Sequence, residues 1–276
     1  MAVAERVPLL ELEGISKAFG PVEALTDVRF DVFPGEVVAL VGDNGAGKST
    51  LIKAIAGIHP VDSGTFRFEG NVVHIHNPVE ARTLGISTVY QDLALCDNLD
   101  VVANLFLGRE TGPIPGPIGF TDESSMEMHA LAVLRRLSVK IPNVRTPVAM
   151  LSGGQRQSVA VARAVLWKSK VVLLDEPTAA LGVAQTKEVL DLVRRLRDGG
   201  HGVVIISHNL VDVFQVADRI TVLRLGRFVG TYDAKTTDRE TIVGLMTGAI
   251  AGGAPINPDL DDQDASEADL AQEAVR

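Results

Sequence analysis

The sequence is poor in several residue types, and each shortage excludes something. One residue in 276 is cysteine, Cys96, so no intramolecular disulfide can form and the chain fits a reducing compartment. Aromatic residues make up 4%, so the core must be aliphatic, drawn from the Val, Leu, Ile and Ala within a 46% hydrophobic share. No apolar run nears the roughly 18 residues that span a bilayer; runs such as Val171–Leu174 are short. The opening MAVAERVPLLELEG has no unbroken apolar stretch and does not read as a secretory signal. Collagen, disulfide scaffolds, integral membrane proteins and secreted proteins are excluded. The length alone allows one or two domains.

Net charge is −9, which argues against a general nucleic-acid binder. The charge is unevenly placed. Residues 251–276 hold seven acids against Arg276, a net −6, which leaves −3 for everything before them. That tail has few large apolar groups to offset its ordering entropy and is expected to be a disordered, solvated segment.

Short runs dense in β-branched residues begin at Val37, Val171, Gly202 and Ile220, and suit strands buried on both faces of a parallel sheet. Helical patterns lie between them. Val189, Leu192, Val193 and Leu196 follow i, i+3, i+4, i+7, with Gly199-Gly200 as the stop. Leu210, Val213, Phe214 and Ala217 repeat the pattern behind Asn209, a candidate N-cap. Thr237 and Glu240 have capping-box spacing before Ile242 and Val243. Val28, Phe30 and Val32, like Phe66 and Phe68, alternate with polar residues, which predicts a half-exposed antiparallel sheet in the first 75 residues. Residues near 92–150 read as helical, with Ala130, Val133, Leu134 and Leu137 as one apolar stripe and a Gly/Pro-rich loop from Gly112. The outline is a parallel α/β core with an antiparallel side sheet and an inserted helical lobe.

Three motifs carry chemistry. After VVALV comes Gly42, Asp43, Asn44, Gly45, Ala46, Gly47, Lys48, Ser49 and Thr50, the P-loop pattern G-x-x-x-x-G-K-[ST], with an apolar helix behind it. Glycines let backbone N–H groups point at phosphate oxygens, and the helix N-terminus adds its positive dipole end. Lys48 places charge between β- and γ-phosphates, and the Ser49 hydroxyl suits Mg²⁺. The second motif, VVLLDEP, ends an apolar strand in Asp175, placed for the Mg²⁺ shell, and Glu176, placed to polarise an attacking water. The third, LSGGQ, sets Ser152, Gly153, Gly154 and Gln155 at a helix start, a second hydroxyl-plus-glycine anion site. Two such sites so far apart suggest nucleotides sandwiched between two subunits.

With these motifs in this order the sequence resembles the ATP-binding cassette (ABC) ATPases over about residues 9–250. The resemblance implies a P-loop NTPase (RecA-like) fold with a helical subdomain at about 92–165, followed by the 251–276 tail. It implies ATP and Mg²⁺ as cofactors. Phe19 is similar to the aromatic that stacks on adenine. Gln91 resembles the glutamine that senses Mg²⁺ and the γ-phosphate and couples the site to the helical lobe. His208 resembles the switch histidine at the γ-phosphate. Catalysis is thus expected from Glu176, His208, Lys48 and Gln91, and metal binding from Ser49, Gln91 and Asp175.

One departure stands out. The family usually has Leu-Asp after this motif, in the loop facing the partner subunit, whereas Leu181 is followed by Gly182. Hydrolysis is still expected, because Glu176, Lys48, Gln91 and His208 are all present. Residues 89–110 and the TAALG of 178–182 are similar to ATPase subunits of bacterial monosaccharide importers of the ribose, xylose and fructose kind. Many of those fuse two cassettes; here one motif set is present. The implied partners are membrane permease subunits docked on the helical lobe, a second ATPase subunit in a homodimer, and indirectly an extracytoplasmic solute-binding protein. Nucleic acid is not an expected partner, and the implied location is the cytoplasmic face of the membrane.

Two other functions compete with this one: a nucleic-acid- or ribosome-associated ABC ATPase, and a weakly hydrolysing regulatory switch suggested by Gly182. His74 and His76 could form half of a metal site but read as surface histidines. Asp191 and Arg195 stand at i, i+4 and predict a solvated helix face. Without a G-x-S-x-G elbow, Ser207 beside His208 is no hydrolase signal.

Overall fold

A computed structural model describes residues 7–112 and 121–252. The Gly/Pro-rich loop beyond residue 112 and the tail beyond residue 252 lie outside the described residues. Strands β1 (Leu10–Phe19), β2 (Val22–Val32), β4 (Ser63–Phe68) and β5 (Asn71–Val73) form an antiparallel sheet in the order β2-β1-β4-β5. The second sheet joins β3 (Val37–Val41), β6 (Ile86–Val89), β7 (Val171–Asp175), β8 (Gly202–Ile206), β9 (Arg219–Arg224) and β10 (Arg227–Asp233) in the order β10-β9-β3-β8-β7-β6. It is parallel from β9 to β6, with β10 antiparallel at one edge. The expected parallel core and antiparallel side sheet are both present.

The β-branched runs form the central strands because both faces are covered. Along β3, Val37, Ala39 and Val41 pack into the cluster that holds the buried faces of α5 (Gly153–Val165), α6 (Val183–Asp198) and α7 (Leu210–Val216). Val38 and Leu40 alternate into the other cluster, with Leu51, Ile52 and Ile55 of α1 (Lys48–Ile55) and the side sheet's Phe30, Phe66 and Phe68. One strand therefore serves two cores through its two-residue period. Between β6 and β7 come α3 (Val101–Phe106) and α4 (Glu123–Arg136), with Met126, Ala130 and Leu134 of α4 buried. Helix α2 (Pro78–Leu84) precedes β6, and α8 (Arg239–Thr247) follows β10.

Arg219 stitches the sheets together. Its guanidinium donates to both carboxylate oxygens of Asp31 at 2.8 Å and reaches Glu36 at 3.3 Å, lying over the Phe33 ring. Burial pulls its pKa down, but the bonds to Asp31 and the charge of Glu36 outweigh that and raise it.

The structure corrects three local expectations. Helix α8 is capped by Asp238, whose side chain accepts from the Thr241 N–H, and not by Thr237. Asp191 pairs with Arg194 at i, i+3 and 2.6 Å, while Arg195 donates to the Leu137 carbonyl. The arginine face is therefore used in tertiary contacts rather than left to solvent. Helix in the lobe starts only at Val101, behind an Asp100 cap, because turns occupy the stretch after Gln91. His74 and His76 are exposed, their rings stacked 6.1 Å apart.

Candidate functional site

Register places four loops together. Leu40 of β3 pairs with Ile206 of β8, Asp175 of β7 with the same Ile206, and Val89 of β6 with Leu174. The carboxyl ends of these neighbouring strands therefore deliver the 42–47 loop, Asp175-Glu176, Ser207-His208 and Tyr90-Gln91 to one edge of the sheet, where open α/β sheets bind ligands.

The first loop leads into α1. Gly47 caps that helix with φ 98° and no side-chain bond, and no acidic residue stands in its first turn. Six other helices (α2, α3, α4, α5, α7 and α8) carry a side-chain cap. The N–H groups that start α1 are therefore left for an anion. Glycine is required here by space as well as conformation. A Cβ on Gly42 would run into the Leu223 carbonyl, and one on Gly47 would lie 2.8 Å from the Ala24 carbonyl. The Asp43 carboxylate accepts from the Asn44 N–H, and its carbonyl accepts from Ala46. Ala46 is buried, while Asp43, Asn44, Gly45 and Ser49 are exposed. Lys48 folds back over the loop, donating to the carbonyls of Gly42 at 2.7 Å and Asp43 at 3.0 Å. Burial lowers its pKa, opposed by the charges of Glu176, Asp43 and Asp175. Thr50 follows in α1.

Asp175 is half-buried. Burial raises its carboxyl pKa, the Glu176 charge raises it further, and Lys53 and Lys48 oppose both. Two adjacent carboxylates beside Lys48 form a site that a further cation relieves, and the oxygen donors of Ser49, Asp175 and Gln91 suit a hard ion such as Mg²⁺. Glu176 holds a left-handed backbone at φ 49°, fixed by its N–H on the Ile206 carbonyl and its own carbonyl accepting from Ala179. Its Oε2 lies 2.9 Å from Nδ1 of His208, a largely exposed ring. The structure thus brings Lys48, Asp175, Glu176 and His208 together.

Gln91 follows β6 and is exposed. Phe19 closes β1 opposite Val22. It is 43% exposed, with one edge on His59 and the Lys17 ammonium 5.5 Å from its centroid. Ser152 to Gln155 are not gathered into this cluster. Ser152 caps α5 in a reciprocal box with Gln155, whose amide also reaches the Lys140 carbonyl. Gly153 and Gly154 pack on Leu181 and Gln185, close enough that a Cβ would sit 3.0 and 3.1 Å from them.

Two supports have no sequence signal. The β9–β10 turn holds the phosphate loop from outside: the Gly226 N–H donates to Ala46, and its carbonyl accepts from Thr26. Thr178 Oγ1 donates to the buried Asp212 carboxylate at 2.8 Å, tying the loop after Glu176 to the helix after His208. Each joins residues distant in the chain, so neither has a local pattern.

Comparison with known proteins shows the family and the fold. The ABC transporter family matches residues 25–179. The chain is 47% identical to the xylose/arabinose import ATP-binding protein of Sulfolobus acidocaldarius, covering 88% of this chain and 96% of that one. It is 48% identical to the fructose import ATP-binding protein of Rhizobium meliloti, covering 88% and 95%. A crystal structure of the ADP conformation of an ATP-binding cassette of an ABC transporter superposes with a TM-score of 0.73 at 28% identity, covering 87% of this chain and 95% of that one. The phosphate loop, the paired acids and the sheet that aligns them belong to a member of the ABC transporter family.

Proposed function

We propose that this chain is the ATP-hydrolysing subunit of an importer, with a monosaccharide as cargo. The observation that carries this reading is the meeting of Lys48, Asp175, Glu176 and His208 at one sheet edge, with Glu176 and His208 2.9 Å apart. The names of the similar import proteins supply the cargo class. Residues 9–250 form the ATP-binding unit, 92–165 its helical lobe, and 251–276 an acidic tail.

The roles follow from the chemistry of each group. Phe19 offers a ring face to adenine. The N–H groups of 42–50 and the Lys48 ammonium hold the β- and γ-phosphates. Ser49, Asp175 and Gln91 would hold Mg²⁺, which would neutralise phosphate charge. Glu176 takes the proton of the water that attacks the γ-phosphorus, as the bond to the ADP oxygen breaks. His208 meets that carboxylate through Nδ1 and contacts the γ-phosphate through its other ring nitrogen. Ser152, Gly153, Gly154 and Gln155 face the nucleotide of a second copy, so that ATP closes a homodimer and hydrolysis reopens it.

Permease docking is assigned to a groove of about 390 Å³ between the core and the lobe, lined by Arg82, Tyr90, Leu105, Arg109, Arg163 and Trp167 among others. No helix among the described residues is long and apolar enough to cross a membrane, and the subunit works peripherally on its cytoplasmic face. A solute-binding protein acts through the permease alone.

Glu176→Gln tests the reading. It should bind ATP and dimerise normally while turnover falls about a thousandfold, within the range for loss of a general base. Near-normal phosphate release in that variant overturns the base assignment.

A further inference from the structure

Leu93 and Ala94 stand in succession in the left-handed region, at φ 57° and 47°. Neither is glycine, and L-residues adopt that conformation in succession only when their surroundings hold it. The turn is closed by the Leu93 N–H on the Tyr90 carbonyl at 3.0 Å, with the Ala94 N–H on Asp92. Gln91 is thus the residue directly after the acceptor of a strained turn.

One side chain holds the other end. The Arg163 guanidinium donates from Nη1 to the Ala94 carbonyl at 2.7 Å and from Nη2 to the Leu93 carbonyl at 2.8 Å. Each carbonyl is that of a strained residue. Among the described residues no carboxylate lies within ion-pair distance of Arg163, so its fork is spent on this turn. Arg163 sits in the last turn of α5, the helix that Ser152 caps at its other end. It also lines the groove beside Tyr90.

We propose that Arg163 is a positioning residue: its guanidinium keeps Leu93 and Ala94 left-handed and thereby sets where Gln91 stands, tying Gln91 to the helix that begins with LSGGQ. This rests on the reading of Gln91 as a γ-phosphate and Mg²⁺ contact. Lysine cannot replace the fork, because one ammonium on a flexible stem does not span two carbonyls in fixed geometry.

Arg163→Lys in the full-length chain is the test. Hydrogen exchange at the amides of 92–95 should rise at least tenfold. The kcat for ATP should fall about tenfold with KM for ATP within twofold, since the Lys48 loop is untouched. Adding Ala94→Gly should restore kcat to within threefold, because glycine takes φ near +50° without strain. A role in overall stability alone would not respond to Ala94→Gly. If Arg163→Lys does not fold, Ala94→Val loads the same turn from the other side, and kcat should fall with KM held. Unchanged exchange at 92–95, or no rescue by Ala94→Gly, overturns the proposal. Gln91→Ala separates the two ideas. If it turns over normally, the role given to Gln91 fails, and exchange at 92–95 alone decides whether Arg163 holds the turn.

Discussion

Side chains at the sheet edge are held in states they would not take in water. Asp175 is the clearest case, its carboxyl pKa raised first by burial and then by the Glu176 charge. At neutral pH the charged form therefore costs the fold stability, and protonation removes that cost. In chelator-treated protein, Asp175→Asn should raise the melting midpoint at pH 7, and its advantage should shrink as pH falls through the raised value toward the ordinary carboxylate range. Calorimetry across that interval checks the sign, and ATP turnover by the variant should be lost. Glu176 sits at φ 49° because backbone bonds to Ile206 and Ala179 leave it little else. Strain of this kind at a non-glycine residue commonly marks a working position. The residue types here were legible in the sequence, since the lysine, hydroxyl and paired acids stand in local motifs. The Thr178–Asp212 bond was not, because its partners are 34 residues apart.

At the scale of elements, the helix caps separate structure from function. Helix α6 starts at Gly182, whose φ of −73° and ψ of 164° suit any N-cap residue. A Cβ there meets nothing within 4 Å. Gly182→Asp should accordingly fit and add a side-chain cap worth a few tenths of a kcal/mol, visible as a rise of about 1 °C in melting. A fall would mean that the loop cannot take a side chain. Arg219 does the opposite work, joining β9 to the end of β2 through Asp31 and to the β2–β3 connection through Glu36. Arg219→Met should cost about 2–3 kcal/mol in denaturant unfolding, somewhat less than a fully buried pair because Asp31 keeps some solvent. Local pattern located most helices but not each contact. Thr237 and Asp238 compete for one cap, and the aspartate that reaches the Thr241 N–H wins it. Arg195 leaves Asp191 for a carbonyl on another segment, which no helical spacing reveals.

Across the whole molecule, the sheet edge that carries Lys48 and Glu176 and the Arg-lined groove are joined through the 90–94 turn. Burial and the nearby Arg82 charge hold Arg109 below its ordinary range, and its guanidinium lies over Trp167. Arg109→Glu should reduce co-purification with the permease at least tenfold while ATP binding by the free subunit stays unchanged; equal co-purification would remove the groove from docking. The sequence by itself determined the parallel core, the side sheet, the phosphate loop and the paired acids. Each is written in a short window, as a run that wants burial on both faces or a motif whose atoms meet a ligand directly. Only the tertiary structure decided that Glu176 and His208 touch, that Gly226 supports the phosphate loop, and that Arg163 grips Leu93 and Ala94. Those contacts join segments up to about 180 residues apart, and only the packed sheet brings them within hydrogen-bonding distance.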